Sequence, residues 1–449
     1  MTVRSDPSEV SAPVTPTRVG VVAMGAALVA MSGPGQTAGF SVFVDPVTES
    51  FGISRSQLTA AYLVATLVAA PVGLLLGKRL DHHRLATMIR VVGGSLALAL
   101  VLTAVSPGLP VLTLGVFGLR AFGQTGLTLT ASVFVARAIS DRRGAALGWM
   151  TAVGGASISL TPLLASRLIP VIGWRWTWMV LAAVVAAGSA GLSMSASRAA
   201  RRSEPVVSAD HVDDGDHVDH LDDVDHVEHI DHVAADVDPD VEGDPALDLI
   251  AFGTADQRQR RWAFAVLAAG FATIGGVGTA LGFHQIAVLG ERGLTAGEAA
   301  VNFLPQSVAA ACVAVLVGRL VDRIPGRLMV PMVMMLLVAA LAAVHQVSSP
   351  LTAVLFGVLL GSAAAANGAS EGALLARWTG TVSLGRLRGR MMAIAVASTA
   401  IAPFWFTLLA DAVGSFTRAA TVSMVLPVGV ALLALVAPLP PEHLRRRGV

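Results

Sequence analysis

Residues 328–348 read LMVPMVMMLLVAALAAVHQVS, a run that contains no Asp, Glu, Lys or Arg. An α-helix needs about 20 predominantly apolar residues to cross the hydrocarbon core of a bilayer. This stretch is long and apolar enough to do so, and it predicts a membrane-spanning helix.

The rest of the chain has the same character. Its 449 residues are 54% hydrophobic and 14% charged, and the mean hydropathy is +0.70. Soluble domains are about 45–50% apolar and about 25% charged. The composition therefore excludes a soluble enzyme as the default and predicts a polytopic membrane protein. The single cysteine, Cys312, excludes an internal disulfide and a cysteine-rich metal site.

Polar breaks divide the chain into twelve apolar runs. The strict alternation of a transmembrane barrel is absent, so the predicted fold is an all-α membrane protein with twelve transmembrane helices. The runs cover residues 19–44, 57–77, 87–106, 110–136, 145–167, 176–196, 262–288, 297–317, 328–348, 351–376, 390–410 and 416–438.

The basic residues are concentrated in alternate loops. If the N-terminus lies inside, 25 of the 31 Lys and Arg residues fall in inside segments or at the ends of runs that adjoin them, 5 fall on the outside in the same way, and the remaining one, Arg120, lies deep within a run. The positive-inside rule then predicts a multi-pass protein of the cytoplasmic membrane with both termini in the cytoplasm. The first run lacks a cleavage pattern, so we expect a retained helix and not a signal peptide.

A long acidic loop separates the first six runs from the last six. Residues 203–250 contain no Arg or Lys but hold 17 of the 30 acidic residues and six of the eleven histidines. We expect a largely disordered linker, with weak metal binding by the histidines as the alternative. The predicted segments are a cytoplasmic N-terminal tail at 1–18, a first bundle at 19–196, the His/Asp-rich linker at 197–261, a second bundle at 262–438 and a basic cytoplasmic tail at 439–449.

Two local patterns recur in the two halves. Gly77-Lys-Arg-Leu-Asp81 closes the second run, and Gly318-Arg-Leu-Val-Asp-Arg-Ile-Pro-Gly-Arg327 closes the eighth. Asp81 and Asp322 are 241 residues apart, while Arg143 and Arg388, which open the fifth and eleventh runs, are 245 apart. Near-equal offsets at corresponding places predict two pseudo-symmetric six-helix bundles.

On these motifs the chain resembles the major facilitator superfamily. Residues 318–327 are similar to that family's loop motif, Gly-x-Leu-x-Asp-Arg-x-x-Gly-Arg, although in the first half Arg79 and His82 replace the usual Leu and Arg. Further similar stretches are Arg120-Ala-Phe-Gly-Gln-Thr-Gly126, Asp141-Arg-Arg-Gly-Ala-Ala-Leu-Gly148 and Gly173-Trp-Arg-Trp176.

Other stretches resemble the monocarboxylate-transporter and oxalate/formate-exchanger branch. They are Gly33-Pro-Gly-Gln36, Val44-Asp45-Pro46, Leu384-Gly-Arg-Leu-Arg-Gly389, and Ala402-Pro403 with Asp411 and Gly414-Ser415. The fifth run lacks the full glycine-proline pattern of drug/proton antiporters. The resemblance implies two bundles that rock around a midplane cavity lined mainly by the first, fourth, seventh and tenth spans.

Arg120 is the one Lys or Arg residue that lies away from the ends of a predicted span. Arg120, Gln124, Thr128 and Ser132 follow one another at i+4 spacing, which predicts a polar stripe on one helical face. An arginine at the membrane centre costs roughly 2.5–3.5 kcal/mol on insertion scales, so it needs a partner. We predict that Arg120 and Gln124 bind substrate, with the guanidinium clamping a carboxylate. An arginine that only braces the bundle is the alternative.

Gln36, Thr37 and His284 are further candidates for substrate binding. Gly33, Pro34 and Gly35 would loosen the first span and free carbonyls toward a cavity, with a packing kink as the alternative. His284 is able to exchange protons near neutral pH, and the alternative is a histidine wetted at the membrane interface.

The eighth and tenth spans carry the remaining candidates. Asn367 is predicted to bind substrate, while Asn302 and Gln306 are secondary lining candidates, with an interhelical hydrogen bond as the alternative. Glu371 is the clearest acid inside an apolar run, and we predict that it carries protons for coupling. An ion pair near the inner end, with Arg377 or a loop arginine, is the alternative.

The resemblance also implies a gating role at the cytoplasmic ends of the bundles. Asp81, Asp322, Arg323 and Arg327 would form a charge-paired latch that breaks and re-forms during the cycle. The alternative is that these positive loops only fix the topology.

Together these features predict a secondary active transporter of a small organic solute. The expected cargo is an organic anion such as a monocarboxylate, moved by alternating access in exchange for a counter-substrate or with protons. We expect a monomer in the lipid bilayer. A drug or metabolite efflux pump, and a non-transporting sensor that uses the His/Asp loop, are the alternatives.

Other classes find no support in the sequence. The chain lacks metal-ligand, phosphate-loop and nucleophile–base motifs, so we expect no enzyme, cofactor or resident metal. Its arginines follow the loop topology and form no single basic face, so we expect no nucleic-acid partner.

Overall fold

A computed structural model describes residues 18–139, 143–203, 257–321, 323–379 and 384–440, which form helices and short connections without a strand. These helices make twelve passes, six on either side of the middle loop, so the predicted all-helical fold is confirmed. The helices continue to Ser203 and resume at Gln257, which extends both bundles into the predicted linker. The rest of that linker lies outside the described residues.

Six passes form the first bundle. They are α1 (Arg18–Met31, a 3₁₀ turn at Gly33–Gly35, Thr37–Ser41 and Val44–Phe51), α2 (Arg55–Ala69 and Val72–His82), α3 (Leu85–Ala104), α4 (Leu109–Gly118, a π-helix at Leu119–Leu127 and Thr128–Ala138), α5 (143–172, interrupted at Ser159) and α6 (174–203).

Six more passes form the second bundle. They are α7 (Gln257–Phe283 and Gln285–Gly290), α8 (Ala296–Val301 and Phe303–Leu320), α9 (Gly326–Ala343 and the short turn Val344–Gln346), α10 (Pro350–Thr379), α11 (Leu384–Val413) and α12 (Phe416–Ser423 and Val425–Val436).

Among the described residues, nine helical stretches are long and apolar enough to cross a membrane. One of them, at 145–198, contains both α5 and α6, which join at Gly173. The passes α1 and α4 are missing from the nine because each is interrupted near its middle. The count of nine is therefore compatible with twelve passes.

Left-handed glycines show the internal repeat. Gly52 and Gly293, with φ of 61° and 88°, end the first and seventh passes, while Gly173 and Gly414, with φ of 78° and 76°, end the fifth and eleventh. Glycine populates positive φ without the clash that a Cβ brings. Both pairs are 241 residues apart, the same offset that separates Asp81 from Asp322.

The helices that follow the first two of these glycines are capped in the same way. Ser54 and Gln57 form a capping box at the start of α2, and Thr295 and Glu298 form one at the start of α8. Each box satisfies otherwise unpaired backbone N–H groups at a helix start. These residues also repeat at the 241-residue offset, which confirms the predicted pseudo-symmetry of the two bundles.

Two passes differ from the continuous α-helices that the sequence predicts. In α1 the helix ends at Met31 because Pro34 has no N–H to continue the ladder, and Ser32 turns its hydroxyl onto the Val29 carbonyl at 2.6 Å. In α4 the turns widen into a π-helix over Leu119–Leu127. Single π-helical turns inside α-helices are frequent at functional sites.

We call the side of the bundles where α1 begins and α7 begins the terminal side. The connections that contain Gly52 and Gly293 lie on the opposite side. The two bundles pack against each other through α1 with α7, α2 with α11, and α5 with α8.

Candidate functional site

A cavity of about 460 Å³ lies between the two bundles. Its wall comes from α1, α5, α7, α8 and α10, and consists mainly of small and apolar residues. No ionised side chain of the described residues lines it, and α4 contributes no lining residue. The polar lining residues are Thr37, Ser159, Thr279, Gln306, Ser307 and Asn367.

An aromatic seal closes the opposite side of this cavity. Phe40 and Tyr62 of the first bundle contact Phe283 of the second, with ring centroids 5.8 and 4.8 Å apart. Such tilted and edge-to-face pairs add attraction beyond the burial of their area. We define the seal as Phe40, Phe43, Tyr62 and Trp178 of the first bundle with Phe283, His284, Phe406 and Phe416 of the second.

Polar contacts reinforce the closure across the two bundles. Ser159 in α5 donates a hydrogen bond to the Phe303 carbonyl at 2.9 Å, and its hydroxyl also pairs with that of Ser307. Arg55, which is ion-paired with Asp45, lies over the ring of Phe416 at 5.1 Å.

Toward the terminal side, α5 and α8 carry exposed apolar side chains. Trp149 and Val153 of α5 are 65% and 49% exposed, and Val315 and Leu316 of α8 are also exposed. A second cavity of about 540 Å³, between α1 and α5, is lined in part by Trp149, Val153 and Arg18. The described contacts between the bundles therefore include the aromatic seal and the α5–α8 pair, while the second cavity lies within the first bundle.

Arg120 lies one layer behind the cavity wall. It is 3% exposed, and it donates hydrogen bonds to the Gly35 carbonyl at 3.3 Å and to the Thr37 hydroxyl at 3.4 Å. Its guanidinium carbon lies 5.1 Å from the centroid of the Tyr62 ring. Every described contact of Arg120 is thus to a neutral group, and its Nε has no hydrogen-bond partner among the described residues.

The glycines beside Arg120 bring α1 and α4 into backbone contact. A Cβ on Gly35 would lie 2.7 Å from the Gly123 Cα and 2.9 Å from the Gln124 nitrogen. This approach places the Gly35 carbonyl within reach of Arg120. Gln124 lies in the same π-helix, and its buried Oε1 lacks a partner among the described residues.

The rest of the predicted α4 stripe does not reach the cavity. The hydroxyls of Thr128 and Ser132 bond to carbonyls of their own helix, with Ser132 donating to Thr128 at 2.8 Å. Gln36 is also absent from the cavity lining, and its amide nitrogen donates to the Ser32 hydroxyl at 2.9 Å.

The second bundle supplies amides to the site. Asn367 and Gln306 line the cavity, and the buried Oε1 of Gln306 has no partner among the described residues. Asn302 is 3% exposed and packs on Gly357, with both amide atoms unpaired within the described part of the chain. Glu371 lies with Asn367 in a narrow void between α7, α9 and α10, away from the main cavity.

His284 belongs to the seal and is absent from the cavity wall. Its Nε2 lies 3.0 Å from the Pro403 carbonyl and 3.1 Å from the Thr407 hydroxyl. The ring stacks on Phe406 and Phe416 and is fully buried. His284 is therefore not wetted at an interface in this state.

The predicted latch is described only in part. Asp322 lies outside the described residues, and so does the side chain of Asp81. Arg323 is exposed, while Arg327 donates to the Ala437 carbonyl at 3.3 Å.

Two other arginines occupy equivalent places beside the latch. Arg137 at the end of α4 donates to the Leu80 carbonyl, and Arg377 at the end of α10 donates to the Val321 carbonyl, each at 2.9 Å. Cations favour helix C-termini, where carbonyls lack intrahelical partners. These contacts tie the terminal-side ends of α2 and α8 into their own bundles.

The sequence predictions missed the seal and the α5–α8 contact. Tyr62 is the only tyrosine of the chain and lies in an apolar span, which is a signal that was available. Ser159 and Ser307 carried no comparable signal, because isolated serines are common in membrane helices and usually bond to their own backbone.

Comparison with known proteins supports the fold. The model of the Major Facilitator Superfamily matches residues 22–344. No curated protein matches. Two similar crystal structures show a bacterial homologue of the human lysosomal transporter Spinster, both inward-facing, one unoccupied and one occupied.

The similarity to these structures is one of fold. Their sequence identity with this chain is 15% and 16%, each with a TM-score of 0.63, and the match covers 94% of this chain and 97% of that chain. The family model covers most of the chain. This multi-pass membrane protein therefore belongs to the Major Facilitator Superfamily, and it is a transporter and not an enzyme.

Proposed function

We propose that this protein moves a small organic anion, such as a monocarboxylate, across the cytoplasmic membrane by alternating access. Arg120 is the observation that carries the proposal. It is a buried cation whose described contacts are all neutral, and Thr37, to which it donates, lines the cavity. A carboxylate that entered beside Thr37 would supply a negatively charged partner for the Arg120 guanidinium, in the bidentate geometry that guanidinium favours.

The resemblance of Gly33–Gln36 and Leu384–Gly389 to the monocarboxylate-transporter and oxalate/formate-exchanger branch supports the same substrate class. The cavity wall fits such a cargo, because small apolar residues surround the organic body and hydroxyls and amides meet its polar end. The concentration of arginines on the terminal side supports placing that side in the cytoplasm. With that orientation, the aromatic seal on the opposite side supports an inward-facing state, and we expect a monomer.

Coupling is assigned to Glu371. Its position beside Asn367, which lines the cavity, supports a role as proton carrier. We expect E371Q to lose accumulation driven by a proton gradient while it keeps carboxylate exchange. Arg323 and Arg327 remain our candidates for the latch that holds the terminal side closed in the other state.

Uptake of radiolabelled acetate, pyruvate and benzoate into proteoliposomes, with and without a proton gradient, tests the substrate class. We expect R120Q to reduce uptake at least about tenfold. The uptake by R120K should lie between those of R120Q and the wild type, because lysine keeps the positive charge but loses the paired N–H donors of the guanidinium. R167Q is the matched control, since Arg167 is an exposed arginine on α5. Carboxylate uptake that persists in R120Q would overturn the assignment.

A second candidate function rests on the neutrality of the cavity wall. No ionised side chain of the described residues lines it, which suits an uncharged amphipathic drug or metabolite exported by an efflux pump. In that case the wild type would transport neutral compounds and not carboxylates. R120Q would transport the neutral compounds at the wild-type rate.

A further inference from the structure

Tyr62 lies where the Arg120 site meets the aromatic seal. It is 1% exposed on α2, and its ring lies beneath the guanidinium of Arg120 at 5.1 Å. Its hydroxyl is 3.1 Å from the Thr37 hydroxyl, which lines the cavity. One side chain therefore contacts both the buried cation and the cavity wall.

The same ring also contacts the other bundle. Tyr62 packs on Phe283 of α7 with a centroid distance of 4.8 Å and an interplanar angle of 69°. Phe283 is followed by His284, whose ring stacks on Phe416, and Phe416 in turn lies under Arg55 of the first bundle. Arg120 therefore contacts the seal directly at the Tyr62 ring, and that ring in turn contacts Phe283 of the other bundle.

We propose that Tyr62 transmits occupancy of the Arg120 site to the part of the aromatic seal that belongs to the second bundle, through its contact with Phe283. In the empty protein the guanidinium holds the ring against Phe283, because a cation is attracted to the face of an aromatic ring. A cargo that draws the guanidinium off the ring weakens that hold. Cargo binding then shifts the population toward the state in which the seal opens. Tyr62 is thus a positioning residue of the gate.

This role rests on the proposed function only for the assignment of cargo to Arg120. Its test contains no cargo, so the two can fail separately. A cysteine at Gly278 is the reporter, because Gly278 lines the cavity and an added Cβ there meets open space. Replacing Cys312, the only native cysteine, with serine leaves this reporter as the single thiol.

The rate at which a membrane-impermeant maleimide labels G278C from the opposite side measures opening of the seal. Vesicles of both orientations separate the two sides. Labelling from the terminal side should be equal in all variants, which shows that each is folded. We expect R120Q to raise the opposite-side rate about tenfold, and R120K less, since lysine keeps a cation over the ring.

The decisive comparison repeats R120Q in two Tyr62 variants. In Y62L, which removes the ring, the opposite-side rate should already be high, and R120Q should raise it no further. In Y62F, which keeps the ring and loses only the hydroxyl, R120Q should still raise it about tenfold. The proposal is overturned if R120Q raises the rate by the same factor in Y62L as in the parent, or leaves the parent rate unchanged.

Discussion

The hydroxyl of Ser159 in the first bundle donates a hydrogen bond to the backbone carbonyl of Phe303 in the second, at 2.9 Å. Ser159 lies at the interruption of α5, where the chain turns its hydroxyl away from its own helix. The bond joins the two bundles at the wall of the cavity, which Ser159 and Phe303 both line.

We predict that S159A weakens this contact between the bundles. Loss of a hydrogen bond of about 0.5–1.5 kcal/mol should raise opposite-side labelling of G278C severalfold. S157A is the matched control, because Ser157 bonds to the Val153 carbonyl of its own helix. Equal labelling rates in S159A and S157A would show that the bond does not hold the bundles together.

A second prediction concerns the contact between α1 and α4. A Cβ at Gly35 would lie 2.7 Å from the Gly123 Cα, and backbone atoms cannot rotate away as a flexible side chain does. We expect G35A to destabilise the protein by about 1–3 kcal/mol and to lower its thermal midpoint in detergent. G278A, whose methyl group meets open space, should melt with the wild type. If G35A had the same thermal midpoint as the wild type, the close contact between Gly35 and Gly123 would be contradicted.

A third prediction concerns Glu291, in the loop between α7 and α8. Burial alone would raise its pKa. The hydrogen bonds from the Ser415 hydroxyl at 2.6 Å and from the Thr417 and Phe416 amides outweigh this, so the pKa lies below its ordinary value of 4.5. The carboxylate thereby caps the start of α12.

Because the pKa is lowered by folding, the stabilisation is complete above pH 4.5 and disappears as the pH falls through the lowered pKa. E291Q should therefore be less stable than the wild type at pH 7, by about 1 kcal/mol, and the two should converge in acid. Thermal midpoints between pH 7 and pH 3 measure this. E49Q, at an exposed glutamate of α1, is the control. A constant gap between E291Q and the wild type at every pH would contradict the assignment.

The sequence allowed most of the fold to be predicted, because membrane spans depend on properties that are local and additive. A run such as 328–348 needs only its length and its lack of charge to be recognised. The duplication was visible in the offset between Asp81 and Asp322, and the structure repeats that offset at Gly52 and Gly293.

The interior of individual helices could not be predicted in this way. The π-helix at Leu119–Leu127 depends on how α4 packs against the broken α1, which is a contact between residues about 85 positions apart. It interrupts the i+4 stripe between Gln124 and Thr128. Periodicity assumes a regular helix and carries no information about such an interruption.

The candidate site was predicted in its chemistry more than in its geometry. Arg120 was recognised because a charged side chain within a membrane span is energetically costly and is therefore usually functional. Thr37 does lie between Arg120 and the cavity. The sequence could not indicate where His284 lies, because the seal that contains it is built from both bundles. Neither could it indicate that Glu371 lies behind the cavity wall, since depth within a bundle is a tertiary property.

The most direct test of the transport proposal is counterflow in proteoliposomes. Vesicles preloaded with an unlabelled monocarboxylate should transiently concentrate the radiolabelled form from outside, without any proton gradient, because alternating access exchanges cargo one for one. We predict this overshoot for the wild type and for R167Q, and its loss in R120Q. A wild-type protein that gives no overshoot with any tested monocarboxylate, or an R120Q variant that keeps it, would contradict the account.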